Sequence, residues 1–271
     1  MAEPLFKVEG LKVALPDMTR KPLIGRAPMV EILKGLDFEL PRRSVTGIVG
    51  ESGSGKSTLG RALVRLIEPS EGSILFEGRD IAHLPEPELR PLRRNLQMIF
   101  QDPMSSLNPR RTIGAIIAAP LGQNGLGDNL DARVADALKR VGLPVNFAKR
   151  YRHELSGGQR QRVGIARALA LSPDFVLADE IVSGLDVSTQ AQILTLLERL
   201  ADDMGLTVAF ISHDLSVIRR LCRHVIVMKN GEIVEQGPTD ALFANPKHAY
   251  TRDLIAAIAL PEIDADWLKA G

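Results

Sequence analysis

The residues able to do chemistry begin with Gly50-Glu51-Ser52-Gly53-Ser54-Gly55-Lys56-Ser57-Thr58. Glycines at this density let the backbone curl tightly, so that successive N–H groups point inward as an anion-binding nest. The stretch fits the G-x-x-x-x-G-K-[ST] spacing of a phosphate loop at every position. Lys56 is expected to reach the β- and γ-phosphates of a nucleotide, and the Ser57 hydroxyl to ligate Mg2+. A second stretch, Leu155-Ser156-Gly157-Gly158-Gln159, opens a helix whose first N–H groups lack partners, which makes another anion site with Ser156 as its cap. A third is Asp179-Glu180. There one carboxylate can hold Mg2+, directly or through water, and the next can polarise a water for in-line attack on a γ-phosphate. His213, in Ser212-His213-Asp214, lies just past an apolar strand, where ligands bind in doubly wound sheets. Taken singly, a Ser-Gly-Gly turn is an N-capped helix and an acidic pair is a loop; it is their company with the phosphate loop that gives them weight.

These groups need elements to hold them. Ser44 to Val49 is apolar and β-branched and reads as a buried strand running into the loop. Leu59, Ala62, Leu63, Leu66 and Ile67 recur at helical spacing after it. Phe175 to Ala178 is an apolar strand ending in the acidic pair, and Leu206 to Ile211 is another, ending at His213. Ligands of doubly wound sheets bind at such strand ends. Ser188 to Asp203 reads as a helix, and Val225–Met228, Lys229-Asn230-Gly231 and Glu232–Val234 read as a hairpin with an Asn-Gly turn. Near the N-terminus, residues 5–8 and 11–15 read as two strands joined by a turn at Glu9-Gly10, 16–31 as a loop, and 36–40 and 73–76 as strands. Residues 104–153, rich in Pro, Gly and Arg with a helix around 130–141, read as an inserted helical lobe, and 238–260 as two short helices.

The 271 residues carry a formal net charge of +1 and 45% hydrophobic side chains. A large core is therefore within reach, and no basic field points to nucleic acid. The one cysteine, Cys222, rules out an intrachain disulfide and an all-cysteine metal site. No run approaches the roughly 20 apolar residues of a membrane span. The best candidate, 113–121, contains Gly114 and Pro120. No secretory signal is visible, so any tie to a membrane is expected to come through a partner.

The order of phosphate loop, Gln101, Leu155 to Gln159, Asp179-Glu180, Asp186 and His213 resembles the ATP-binding subunits of ABC transporters, from about residue 5 to about residue 260. The resemblance implies an α/β P-loop NTPase core with an N-terminal antiparallel β subdomain and an inserted α-helical subdomain. The core takes residues 1–103 and 154–237, the helical lobe 104–153, a C-terminal helical extension 238–260, and a tail 261–271. It implies that ATP lies against Gly50, Ser52, Gly53, Gly55, Lys56, Ser57 and Thr58 of one subunit and Ser156, Gly158 and Gln159 of a second, with Asp186 in the loop that crosses between them. It implies Glu180 as general base, His213 at the γ-phosphate, and Ser57, Asp179 and Gln101 around Mg2+, Gln101 also coupling to a transmembrane partner. A narrower resemblance, in residues 100–109 and 245–252, is to dipeptide and oligopeptide importers, parts of it shared with nickel, glutathione and phosphonate-related systems. The implied assembly is a pair of different ATPase chains, two transmembrane permease subunits and, indirectly, an extracytoplasmic substrate-binding protein, with this chain peripheral on the cytoplasmic face of the inner membrane. A soluble ABC ATPase of a carbon–phosphorus lyase type complex is the alternative. Two positions depart from the family: Leu15 stands where an aromatic ring usually stacks on adenine, and Ile181 where proline usually follows the acidic pair.

Overall fold

The computed structural model describes residues 3–20, 25 and 27–257. Its strands are β1 (Phe6–Pro16), β2 (Met29–Leu40), β3 (Val45–Val49), β4 (Glu71–Phe76), β5 (Arg79–Asp80), β6 (Leu96–Ile99), β7 (Phe175–Asp179), β8 (Thr207–Ile211), β9 (His224–Lys229) and β10 (Glu232–Pro238). Its helices are α1 (Lys56–Leu63), α2 (Glu86–Leu89), α3 (Pro103–Ser106), α4 (Ile113–Gln123), α5 (Leu130–Arg140), α6 (Gly157–Leu169), α7 (Val187–Met204), α8 (Leu215–Leu221), α9 (Thr239–Ala244) and α10 (Ala249–Ala256). The tail expected over 261–271 lies outside the described residues, as do 21–24 and 26 of the N-terminal loop.

The larger sheet has the order β10-β9-β3-β8-β7-β6. Strands β9, β3, β8, β7 and β6 run parallel, and β10 closes one edge antiparallel. Parallel strands covered on both faces read as continuous apolar runs, and all five residues of each of β3, β7 and β8 are buried. Alternate residues serve different cores. Val176, Ala178, Val208, Phe210, Val225 and Val227 pack with the helical lobe, α7 and α8. Ile48, Phe175, Leu177, Ala209, Ile211, Ile226 and Met228 pack with α1 and the smaller sheet. Because the strands run parallel, the segments that follow β3, β8, β7 and β6 emerge at one edge. These are the phosphate loop, His213, Asp179-Glu180 and Gln101. The fold thus gathers the chemistry that the sequence scatters over more than 160 positions.

The smaller antiparallel sheet, β2-β1-β4-β5, corrects two readings. Phe6–Pro16 forms one strand, with a register shift between Val8 and Leu11, where two strands over 5–8 and 11–15 and a turn were expected. Gly10 there takes φ 57 and donates its N–H to Asp37 Oδ1 at 2.7 Å. A bulge of this kind absorbs Glu9-Gly10 without ending the strand. The 16–31 loop gives way at Met29 to β2, which is longer than the strand expected over 36–40. The two sheets are tied by Phe6, whose ring lies 5.1 Å from Phe76 and 4.7 Å, edge-on, from Phe175. Each such pair adds about 0.5–1.5 kcal/mol beyond burial.

Helix α1 docks unusually close on the larger sheet. A Cβ on Gly60 would fall 2.7 Å from Leu177 Cδ1 and 3.0 Å from Ile211 Cδ1, so only glycine lets the helix approach β7 and β8 this far. The expected hairpin is present, with Asn230 at φ 50 and Gly231 at φ 83, the positive pair that a two-residue I′ turn demands. It does more than reverse the chain: Gly231 donates its N–H to Ser54 O at 3.1 Å and accepts at its carbonyl from Lys34 N at 3.0 Å. One turn therefore braces the phosphate loop against β2. Helix α6 packs on α4 and α5 of the lobe and also on β6, so it joins lobe to sheet.

Gly231→Ala should be costly. Its Cβ would fall 2.2 Å from Ile32 O at a positive φ. A loss of about 1–3 kcal/mol is expected, read by chemical denaturation; a loss below a few tenths would mean that the turn is not wedged against β2.

Candidate functional site

The loop between β3 and α1 is curved by glycines that have no room for a side chain. Gly50 (φ 148) and Gly55 (φ 102) would bring a Cβ to 2.2 Å from Met228 O and 2.9 Å from Leu33 Cδ2. Gly53 takes φ 81. Lys56 opens α1, is 6% exposed, and donates to Gly50 O at 2.8 Å and Glu51 O at 2.7 Å. Burial holds its ammonium below the usual lysine value, against the pull of the Glu180 and Asp179 carboxylates. A desolvated cation folded back on two carbonyls at a helix N-terminus is a receptor for phosphate oxygens. Ser54 Oγ is buried in the same turn without a hydrogen-bond partner. Ser52 and Thr58 flank these groups in the same loop and first helical turn.

Ser57 Oγ donates to Asp179 Oδ1 at 3.0 Å across 122 residues of sequence. Asp179 is 3% exposed, and burial raises the pKa of its carboxyl. A serine hydroxyl and one carboxylate are hard oxygen donors, a set that suits Mg2+ completed by phosphates and water. Among the described residues no group of three or more His, Cys, Asp or Glu forms an all-protein cage. Ser57 and Asp179 would hold the ion, which would supply counter-charge to the phosphates.

Glu180 follows at φ 49, an uncommon backbone state for a residue with a side chain. The state is over-determined. Glu180 N donates to Ile211 O at 3.0 Å, and its carbonyl accepts from Ser183 N at 3.1 Å and Ser183 Oγ at 2.9 Å. Ile181 and Val182 are buried in the larger core. The strand exit is stiffened by burial and turn bonds where the family uses proline. The carboxylate is then met from two sides: Gln101 Nε2 donates to Oε2 at 2.9 Å, and His213 Nδ1 lies 3.6 Å from Oε1. A carboxylate held between an amide and an imidazole beside a buried lysine can orient and deprotonate a water. Gln101 thus meets Glu180; the structure contains no bond from it to Asp179 or Ser57.

The second stretch is built as expected but stands apart. Ser156 Oγ accepts from Gln159 N at 3.3 Å and Ser156 N donates to Gln159 Oε1 at 3.0 Å, a reciprocal capping box at the start of α6. Asp186 caps α7, its two oxygens taking Thr189 N at 2.9 Å and Thr189 Oγ1 at 2.7 Å. The two turns touch each other, since a Cβ on Gly158 would fall 2.5 Å from Thr189 Cγ2. Among the described residues no hydrogen bond joins Ser156, Gly158, Gln159 or Asp186 to loop 50–58. Leu15 is half-buried on β1 opposite the exposed Val30. Sequence reasoning missed Ser183, whose hydroxyl ties the Glu180 turn, and the bracing of the loop by Gly231. Neither residue type carries a chemical signature.

Two substitutions test this geometry. Asp179 binds its proton more tightly folded than unfolded, so stability falls as pH rises from the ordinary carboxylate value through the raised one. Asp179→Asn should therefore melt above the parent at neutral pH, the gap closing in acid, while Mg2+-dependent ATP affinity drops; a lower melting point at neutral pH would show that the buried charge is not a net cost. Glu180→Gln keeps the Gln101 contact but loses the base. It should bind ATP and hydrolyse it about 10²–10⁴-fold more slowly; a loss of only a few-fold removes Glu180 from that role.

The ABC transporter family model matches residues 33–183. A Brucella ovis protein named for peptide import and ATP binding is 49% identical over 264 residues, spanning 97% of this chain and 81% of that protein. Glutathione import ATP-binding protein GsiA of Salmonella paratyphi A is 49% identical over 263 residues, 96% of this chain but 42% of its own length. Among solved structures, the ATP-binding cassette MJ0796, dimeric and bound to ADP and Pi, aligns at a TM-score of 0.74 and 30% identity over 86% of this chain and 98% of that one. CbiO1 of Clostridium perfringens, part of the transporter complex cbiONQ, aligns at 0.77 and 30% identity over 90% and 92%. With the loop, the acidic pair and the capped second turn on the one scaffold, these likenesses leave one conclusion: the chain belongs to the ABC transporter family, as one of its ATP-hydrolysing cassettes.

Proposed function

We propose that this chain powers a membrane importer of peptides, binding Mg2+-ATP at the phosphate loop and hydrolysing it when a second cassette closes over it. The observation that carries this reading is the separation of two half-sites on one scaffold. Lys56, Ser57, Asp179, Glu180, Gln101 and His213 converge at one sheet edge. Ser156 and Gly158 present their own anion-binding turn elsewhere, locked on the Asp186 cap. A nucleotide held by the first set lacks the second, and a head-to-tail partner supplies it. In this pairing Lys56 and the loop N–H groups bind the phosphates, Glu180 takes the proton of the attacking water, His213 and Gln101 orient that carboxylate, and Leu15 covers the adenine.

The peptide assignment rests on 49% identity along nearly the whole chain to the Brucella relative named for peptide import. Glutathione, itself a tripeptide, is the substrate class favoured by the equally similar Salmonella protein. No helix among the described residues is long and apolar enough to cross a membrane, so two transmembrane subunits complete the importer and hold this chain at the cytoplasmic face, with a second, different ATPase chain beside it and a substrate-binding protein outside. A groove of about 420 Å³ lined by Leu66, Phe100, Arg111 and Arg167 adjoins Gln101 and fits a cytoplasmic segment of such a subunit.

Solubilised from membranes, the tagged chain should co-purify with two polytopic proteins and a second cassette; recovery with no membrane protein overturns the importer reading. A side chain at Gly158 would displace Thr189, which bonds the Asp186 cap, so the shared site is tested at Ser156. In the mixed assembly, Ser156→Ala in this chain should leave ATP binding at its own Lys56 unchanged and slow hydrolysis on the partner's loop about 10–100-fold, the worth of a hydrogen bond to a charged group. A defect that follows this chain's own loop is incompatible with head-to-tail pairing.

A further inference from the structure

The C-terminal segment reaches back to the phosphate loop at one atom. Tyr250, the second residue of α10, is 5% exposed, and its Oη accepts a hydrogen bond from Glu51 N at 2.9 Å. The two residues are 199 positions apart. The tyrosine is fixed on every side. Lys229 Nζ lies 4.5 Å from its ring centroid. Its own N–H donates to His248 Nδ1 at 3.1 Å, which caps α10. The turn before it is clamped by Glu235, whose two oxygens accept Lys247 N at 2.9 Å and His248 N at 3.0 Å. Burial raises the pKa of the phenol, so the oxygen facing Glu51 is a neutral hydroxyl.

Glu51 is the hinge of the loop. Its carbonyl is one of the two acceptors of Lys56 Nζ, and the carbonyl of Gly50 is the other. The peptide between Gly50 and Glu51 is thus gripped from inside by Lys56 through its oxygen and by Tyr250 through its nitrogen. The ammonium has three N–H donors and two are spent on these carbonyls, so phosphates entering the loop compete with them for Lys56 and weaken the inner grip. The outer grip remains. We infer that Tyr250 is a positioning residue for nucleotide binding, holding the Gly50–Glu51 peptide in its curved state while Lys56 changes partners, so that the loop need not be reordered at the cost of affinity. A loop already ordered before binding spends less of its contact energy on ordering. This inference rests on the reading that ATP phosphates occupy loop 50–58.

The test is equilibrium binding of Mg2+-ATP to the full chain, with steady-state kinetics of the assembled transporter. Tyr250→Phe removes one oxygen and keeps the ring; Tyr250→Leu removes both. Both should raise Kd and KM for ATP about 3–10-fold, the weight of one neutral hydrogen bond, with kcat at saturation within about twofold of the parent. If Tyr250→Phe binds like the parent and only Tyr250→Leu is impaired, the residue acts through packing and the inference falls. It falls as well if neither variant changes Kd. Lys56→Ala in the same assay separates the underlying reading: undiminished binding there removes ATP from this loop altogether, whereas lost binding there with unchanged Tyr250→Phe overturns the inference alone. A measurement on unaltered residue 250 avoids any folding defect. The chain holds two tyrosines, so after fluorotyrosine labelling the Tyr250 signal, assigned by Tyr151→Phe, should shift on adding Mg2+-ATP; a signal that stays put overturns the inference.

Discussion

A phosphate loop has to hold a strained curve while leaving its inward N–H groups free for ligand, and most of this structure answers that requirement. A loop that bonded wholly to itself would spend the donors it must offer; here Ser54 N bonds Glu51 O at 3.2 Å within the loop, and further support comes from outside. Here β9 presses Met228 O against Gly50, the hairpin turn gives Gly231 N to Ser54 O, and α10 offers Tyr250 Oη to Glu51 N. Three segments from the last sixth of the chain thus shape a loop made by residues 50–58. Lys56, drawn onto Gly50 O and Glu51 O, closes the curve from within until a better acceptor arrives.

The second requirement is a set of acidic groups at a partly buried sheet edge, which is electrostatically costly where Asp179 is concerned. Burial disfavours the charge of both Lys56 and Asp179, and their mutual attraction offsets part of it. The arrangement suits a site whose charges are satisfied by ligand, since phosphates and a divalent cation bring the missing counter-charges. Strain at Glu180 belongs to the same logic. Its left-handed backbone turns the side chain out of the β7 line toward Gln101 and His213, and the buried Ile181 and Val182 hold it there. Stability is spent at this edge and recovered in the two cores on either face of the sheet.

The two half-sites differ in how they are supported. The phosphate loop is gripped by distant segments, whereas the turn at Ser156 caps itself and rests on Thr189 and Leu185 of the neighbouring turn. A self-capped turn holds its shape through its own reciprocal bonds. That combination fits an anion site offered to another molecule.

The chemistry was legible in sequence because it depends on residue type and local spacing. Lys56 and Ser57 follow their glycines directly, Ser156 and Gln159 are three apart as a capping box requires, and the apolar runs before the loop, the acidic pair and His213 announce buried parallel strands. The N-terminal sheet was less legible, since Glu9-Gly10 signals a turn to local reasoning and only pairing with both β2 and β4 makes it a bulge. Ser183, Gly231 and Tyr250 were invisible as site residues for a related reason. A serine, a hairpin glycine and a buried tyrosine here sit in no motif that marks a site, and their contacts span as many as 199 residues. Sequence by itself singled out the groups proposed to meet the phosphates and the metal. The tertiary structure decided what holds them in place, because support for a strained loop is a matter of which distant backbone atoms come within hydrogen-bond reach, and no local pattern encodes that.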